Sequence, residues 1–230
     1  MANMIKLTSA LDGFEFGALH AAAEGPRRGG IVVIQEIFGI DRYVQEDVAR
    51  WAAKGFEAIA PSMFDRGKMG FVAEHNPEGI QEGFKYATEI GIEKPMSDVQ
   101  ACVDALKDPN SENGGPVFIV GYCYGGWIAW RACAEVNGLA AGSAYYGGRI
   151  GADLDVSLRA PVICHFGRKD GHIPADETKA AIAGKHPDVP VYIYDGSGHG
   201  FNNDGVEAQD PADAKLARER TLDWFEKHGA

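Results

Sequence analysis

Cys123 stands in the run Gly121-Tyr122-Cys123-Tyr124-Gly125-Gly126, behind the apolar stretch 117–120 and ahead of a second apolar stretch. A nucleophile between small residues on a sharp strand-to-helix turn is presented at a helix N-terminus, where backbone N–H groups favour a thiolate and a developing oxyanion. The flanking glycines let helix and strand close around a strained residue. A Gly-rich turn holding a structural cysteine has the same letters, so the order of the other groups matters. Asp170 lies in Gly167-Arg168-Lys169-Asp170-Gly171, just after the β-like run 161–167, and His199 lies in Gly196-Ser197-Gly198-His199-Gly200, just after the β-like run 191–194. Nucleophile, acid and base thus follow one another at three predicted strand ends, where parallel sheets place their sites.

Glu36 is the fourth candidate. It closes the run Ile31-Val32-Val33-Ile34-Gln35, where a carboxylate has no packing reason to stand. If that strand neighbours the elbow, Glu36 reaches the Cys123 thiol and takes its proton, and the N–H groups of Ile37 and Tyr124 form an oxyanion hole. Without that neighbour it is a solvated strand-end acid. Phe38, Tyr145, Tyr146 and Phe201 flank these motifs and are expected to line the substrate pocket. His165, Asp170 and His172 resemble a metal cluster, but no further ligand stands at zinc-like spacing, so no metal is expected. Neither G-x-G-x-x-G nor G-x-x-x-x-G-K-[ST] occurs, and no nucleotide cofactor is expected.

The elements that must position these residues alternate between strand and helix from about residue 30 onward, the pattern of a mostly parallel sheet with helices on both faces. Residues 4–8 and 15–20, around Asp12-Gly13, predict an edge hairpin. The unbroken apolar run within 30–35 predicts a strand buried on both faces. Asp41 is a plausible N-cap for a helix carrying Val44, Val48, Trp51 and Ala52, which Gly55 stops. A short strand at 57–60 follows. Residues 62–95 mix Gly, Pro, Met, Phe and both charges and read as an excursion with short helical pieces, of the kind that walls active sites. Pro95 opens a helix, and strands at 117–121, 142–146, 161–167 and 191–194 alternate with helices at 125–136, 174–186 and 211–228. With no repeat or linker, residues 1–230 predict one domain.

Composition bounds the partners. The chain has 230 residues, 45% of them hydrophobic, enough for a sizeable core, and its net charge of −11 is expected to keep it off nucleic acid and anionic membranes. The first ten residues lack the features of a signal peptide, and no apolar run is long enough to span a bilayer. Four cysteines without a C-x-x-C pair suit reduced thiols, so a cytoplasmic location is expected. Nothing here determines the oligomeric state; a monomer is the expectation.

Across nearly its whole length the chain resembles the dienelactone hydrolase (carboxymethylenebutenolidase) family of α/β-hydrolases. The resemblance rests on Gln35-Glu36-Ile37-Phe38-Gly39, Gly121-Tyr122-Cys123-Tyr124-Gly125-Gly126, Phe166-Gly167-Arg168-Lys169-Asp170-Gly171-His172-Ile173-Pro174 and Gly198-His199-Gly200-Phe201. It implies the α/β-hydrolase fold, a triad of Cys123, His199 and Asp170, control of the thiol by Glu36, a small-molecule ester or lactone substrate, and no metal or organic cofactor. The match stops where substrate is chosen. Members specific for dienelactone hold the substrate carboxylate with arginines before the mid-chain helix and shortly after the catalytic histidine. Here residues 69–93 contain no Arg, and after His199 the first Arg is Arg218, with Asn202 and Asn203 nearer. Arg66, Lys68 and Lys85 are the candidate replacements. The expected activity is therefore ester or lactone hydrolysis with little preference for anionic substrates. The rivals are a general short-chain carboxylesterase or thioesterase, and a non-catalytic protein of the same fold that binds a ligand or senses oxidants through Cys123.

Overall fold

The computed structural model describes residues 2–108, 110 and 114–230. Eight strands form one sheet in the order β1-β2-β4-β3-β5-β6-β7-β8, comprising β1 (Asn3–Thr8), β2 (Glu15–Ala21), β3 (Gly29–Ile34), β4 (Phe56–Pro61), β5 (Val117–Tyr122), β6 (Ala141–Tyr145), β7 (Val162–Gly167) and β8 (Val191–Tyr194). The hairpin β1–β2 is antiparallel and joins β4 antiparallel, while every pairing from β4 through β3 to β8 is parallel. Strands β3 and β5 are buried at every position, which is why their sequences read as continuous apolar runs rather than alternating ones.

The helices are α1 (Arg42–Ala53), α2 (Pro77–Ile90), α3 (Glu93–Ala105), α4 (Tyr124–Glu135), α5 (Ala175–Lys185) and α6 (Pro211–Lys227). On one face, Trp51 of α1 and Phe225 of α6 pack together and onto Phe56 and Phe118 of the sheet, with the Phe118 and Phe225 rings 4.6 Å apart. Helices α3 and α4 contact each other and cover the other face. Helix starts follow local chemistry. Asp41 accepts from the Val44 N–H at 3.0 Å, Asn76 from Gly79 and Asp210 from Ala212 and Asp213.

The 62–95 excursion departs from expectation. Instead of short pieces it holds the continuous 14-residue α2. Gly79 and Gly83 lower its helix propensity, although its apolar residues share one broad side. Gly79, Gly83, Tyr86 and Ile90 turn inward, while Ile80 and Phe84 stay exposed. No described helix is long and apolar enough to cross a membrane.

Candidate active site

Two neighbouring strands set the centre of the site. Ile34 of β3 pairs with Gly121 of β5 in the parallel register, so Glu36 and Cys123, each two residues further on, leave the sheet side by side. Cys123 has φ 53°, a conformation that costs a non-glycine residue energy and that the packing around it must hold. The glycines show how. A Cβ on Gly121 would lie 1.9 Å from the Gly125 carbonyl oxygen, and one on Gly125 would lie 2.4 Å from that of Ile34. With side chains there, the turn could not close, nor α4 approach β3.

The acid and base arrive from the far side of the sheet. Asp170 follows β7, and its Oδ1 accepts from the N–H groups of His172 and Ile173 at 2.8 and 3.2 Å. Its Oδ2 pairs with His199 Nδ1 at 2.7 Å. The loops carrying them touch because Gly167 has no side chain, since a Cβ there would lie 2.4 Å from the Ser197 carbonyl oxygen. His199 belongs to the loop after the edge strand β8 yet sits over the end of β6, its ring centroid 5.1 Å from that of Tyr146. Burial opposes a charge on His199, but its bond to Asp170 and its contact with Cys123 outweigh that, raising its pKa to about 10. Burial likewise opposes the Asp170 carboxylate, and the bonds from His199 and the two backbone N–H groups hold its pKa below the ordinary value.

Glu36 is buried beneath this pair. Desolvation pushes its pKa up against the opposing pull of His199 and of Asn203, whose Nδ2 donates to Glu36 Oε2 at 3.1 Å. Glu36 Oε1 is buried with no hydrogen-bond partner. An unpaired buried carboxylate oxygen is costly.

A cavity of about 450 Å³ opens over these residues. Its polar edge is Glu36, Cys123, His172 and His199, and the rest is chiefly Phe38, Ile80, Phe84, Trp127 and Ile173. Ile37 and Tyr124, whose N–H groups follow Glu36 and Cys123, also line it. Phe38 thus lines the cavity. Tyr145, Tyr146 and Phe201 are not in the cavity wall but fully buried beneath the site. Strand alternation turns Tyr145 into the core, where its hydroxyl meets Thr221 at 2.7 Å, and Phe201 packs against Tyr194, Tyr145 and Tyr146. Tyr146, at φ 36°, fills the floor under His199.

The candidate replacement cations are elsewhere too. Arg66 is buried between Asp12 and Asp98, Lys68 pairs with Glu82, and Lys85 lies over the Tyr86 ring. Arg218 is bound to Asn202 and Asp204. The cation that does line the cavity is Arg149, which belongs to none of the sequence motifs. Its position just past Tyr145-Tyr146-Gly147-Gly148, at a parallel strand end, was the available signal.

His165 is a core residue. It is fully buried, bonded to the Tyr194 and Thr221 hydroxyls, and burial lowers its pKa to about 3. Among the described residues no group of three or more His, Cys, Asp or Glu side chains is arranged to hold a metal ion.

The remaining strap on the site comes from the excursion. His75 stacks on Phe38 with centroids 3.7 Å apart and bonds Asp41 at 2.6 Å, while Ala73 N–H donates to the Phe38 carbonyl. Both ends of the β3–α1 loop are thereby held.

The comparisons with known proteins agree with this architecture. The dienelactone hydrolase family model matches residues 16–229. A candidate carboxymethylenebutenolidase of Yersinia pestis is 31% identical over 219 residues, covering 86% of this chain and 78% of its own. The carboxymethylenebutenolidase of Pseudomonas putida is 28% identical over 221 residues, covering 93% and 92%. Among solved structures, a candidate dienelactone hydrolase of Klebsiella pneumoniae superposes with a TM-score of 0.80 at 25% identity, covering 98% of this chain and 99% of that one. An esterase of Pyrococcus furiosus, 14% identical, shares the fold with a TM-score of 0.70 over the whole of this chain and 92% of its own. With an α/β-hydrolase sheet, a cysteine at its elbow and a family match over nearly its full length, the chain belongs to the dienelactone hydrolase family, whose members hydrolyse ester and lactone bonds.

Proposed function

We propose that the chain hydrolyses its substrate by a thiol mechanism in which Cys123 is the nucleophile, His199 the general acid and base, Asp170 its orienting carboxylate and Glu36 the acceptor of the thiol proton. The observation that carries this reading is the convergence, in one cavity, of a strained elbow cysteine and a histidine locked at 2.7 Å to a buried aspartate. The Cys123 sulfur attacks the carbonyl carbon. The carbonyl oxygen takes up the negative charge and is held by the N–H groups of Ile37 and Tyr124. As the C–O bond breaks, His199 gives its proton to the leaving oxygen, and the acyl group remains as a thioester on Cys123. His199 then takes a proton from water, whose oxygen attacks the thioester; the C–S bond breaks and the acid leaves.

The burial of Glu36 supports its part. In the free site its carboxylate is desolvated and one oxygen unpaired, so accepting the thiol proton removes an unfavourable charge as the nucleophile is made. The test is p-nitrophenyl acetate turnover by the wild type and by each Cys→Ala variant. Cys123→Ala should lose at least about 10³-fold in kcat, while the Cys102, Cys133 and Cys164 variants that fold retain activity. Full turnover in Cys123→Ala would end the assignment, and no turnover in the wild type would favour a binding or thiol-sensing role.

A further inference from the structure

The cavity walls are chemically unequal. Along α2, Ile80, Phe84 and Ala87 recur at helical spacing and present apolar surface to the space beside Cys123, which Phe38 and Trp127 continue. Ile80 is 39% and Phe84 56% exposed, on a helix that buries Tyr86 and Ile90 elsewhere. A contiguous apolar surface left open at the mouth of a cavity is surface for a ligand to cover. The volume, about 450 Å³, is that of a site for a ring-sized organic molecule and is far more than an acetyl ester fills.

The cation stands apart from that surface. Arg149, after β6, is the one Lys or Arg in the cavity wall among the described residues. Its guanidinium carbon lies 4.3 Å from the Trp127 ring centroid, which holds the planar group in place. Arg66, Arg131, Arg168 and Arg218 are all paired with carboxylates, whereas Arg149 has no carboxylate partner among the described residues. Arg149 is exposed at the cavity rim, where its planar guanidinium can pair with a carboxylate that enters.

We infer that the substrate joins two recognition elements, an apolar body of about aryl size lying on Ile80, Phe84 and Ala87 and a carboxylate paired with Arg149. This rests on the hydrolase reading of the same cavity. The carboxylate belongs either to the acyl part or to the leaving group, and two ester pairs separate these. One is p-nitrophenyl butyrate against p-nitrophenyl hemisuccinate; the other is phenyl acetate against 4-carboxyphenyl acetate. In at least one pair the wild type should favour the anionic ester by about 30-fold or more in kcat/KM, chiefly through KM. Arg149→Gln should bring that ratio close to one, and Arg149→Lys should restore part of it. Phe84→Ser should raise KM for 1-naphthyl acetate at least about fivefold more than for vinyl acetate.

Ratios near one in both pairs, or a ratio that survives Arg149→Gln in a variant folded by circular dichroism, overturn the anionic half. An unchanged naphthyl preference in Phe84→Ser overturns the apolar half. Cys123-dependent turnover of the neutral esters, with no Arg149-dependent ratio, overturns this substrate class while the hydrolase reading stands. Failure to turn over any of these esters overturns both.

Discussion

At the scale of single residues, the site is a set of charges whose costs are offset by named partners. Glu36 is the exception, since desolvation outweighs Asn203 and His199 and raises its pKa from 4.5. A raised folded pKa contributes stability that is full below the unfolded value and is lost as pH rises through the folded one. Glu36→Gln should therefore match the wild type in Tm below about pH 4.5 and exceed it increasingly as pH rises through the folded pKa of Glu36, while kcat falls at least about tenfold. Melting curves and p-nitrophenyl acetate kinetics check the two arms; turnover within about twofold of wild type would return Glu36 to the scaffold. The His199–Asp170 pair differs in that its partners favour the charged form of each group. The His199 pKa is raised from 6.5 to about 10, so its contribution is full below pH 6.5 and fades up to about pH 10. Asp170, its pKa lowered from 3.8, contributes above that value and loses its contribution as pH falls. Asp170→Asn should thus cost most stability between about pH 4 and 6.5, with the Tm gap closing toward pH 10, and kcat should fall about 10²- to 10⁴-fold.

Among the elements, α2 matters most to the geometry of the site. It rests directly on the loop after β3 because Gly83 has no side chain; a Cβ there would lie 2.0 Å from the Ile37 carbonyl oxygen and 2.9 Å from the Ile37 Cβ. In an exposed helix Gly→Ala gains about 1 kcal/mol of propensity. Here the methyl group meets backbone rather than a flexible side chain, and overpacking of that kind costs about 1–3 kcal/mol. Packing wins, and Gly83→Ala should destabilise the protein despite the better helix former. The displaced Ile37 should also lower kcat, which steady-state kinetics beside a denaturant titration would show. The His75 strap acts on the same loop from its other end, through Phe38 and the Asp41 cap of α1.

For the whole molecule, the sheet gathers groups from five strand ends into one cavity, while the other three cysteines lie in the core. Cys102, Cys133 and Cys164 are buried, and burial raises all three of their pKa values, with Cys133 reaching about 12. Cys123 is the one partly accessible thiol and lines the cavity. A thiol reagent such as 5,5′-dithiobis(2-nitrobenzoate) should titrate one cysteine in the native protein and all four after denaturation. Fast modification of a second native thiol would contradict this burial. The polar links that hold the assembly also run across it, from Tyr122 of β5 to Asp47 of α1 at 2.6 Å, and through Arg50, Asp204 and Arg218 to the loop that carries Asn203.

The linear order of residues determined the parallel half of the sheet and marked Cys123, Asp170, His199 and Glu36 as candidates because the physics there is local. Apolar runs buried on both faces, glycines demanded by contacts a few residues away, and loops at strand ends are all written within short windows of sequence. The lining of the cavity had no such local record. Tyr145 and Arg149 stand four residues apart, yet strand alternation sends one into the core and the chain past Gly148 carries the other to the cavity wall. Helix α2 was hidden by the low helix propensity of Gly79 and Gly83, and nothing local records that its Ile80–Phe84 edge turns toward the cavity rather than the core. Only the tertiary structure decided that His199, from the edge strand, reaches back over β6, and that Tyr146 packs beneath it while Arg149 lines the cavity. Side-chain direction and the close approach of Gly83 to Ile37 arise from contacts between segments far apart in the chain, which no short window of sequence contains.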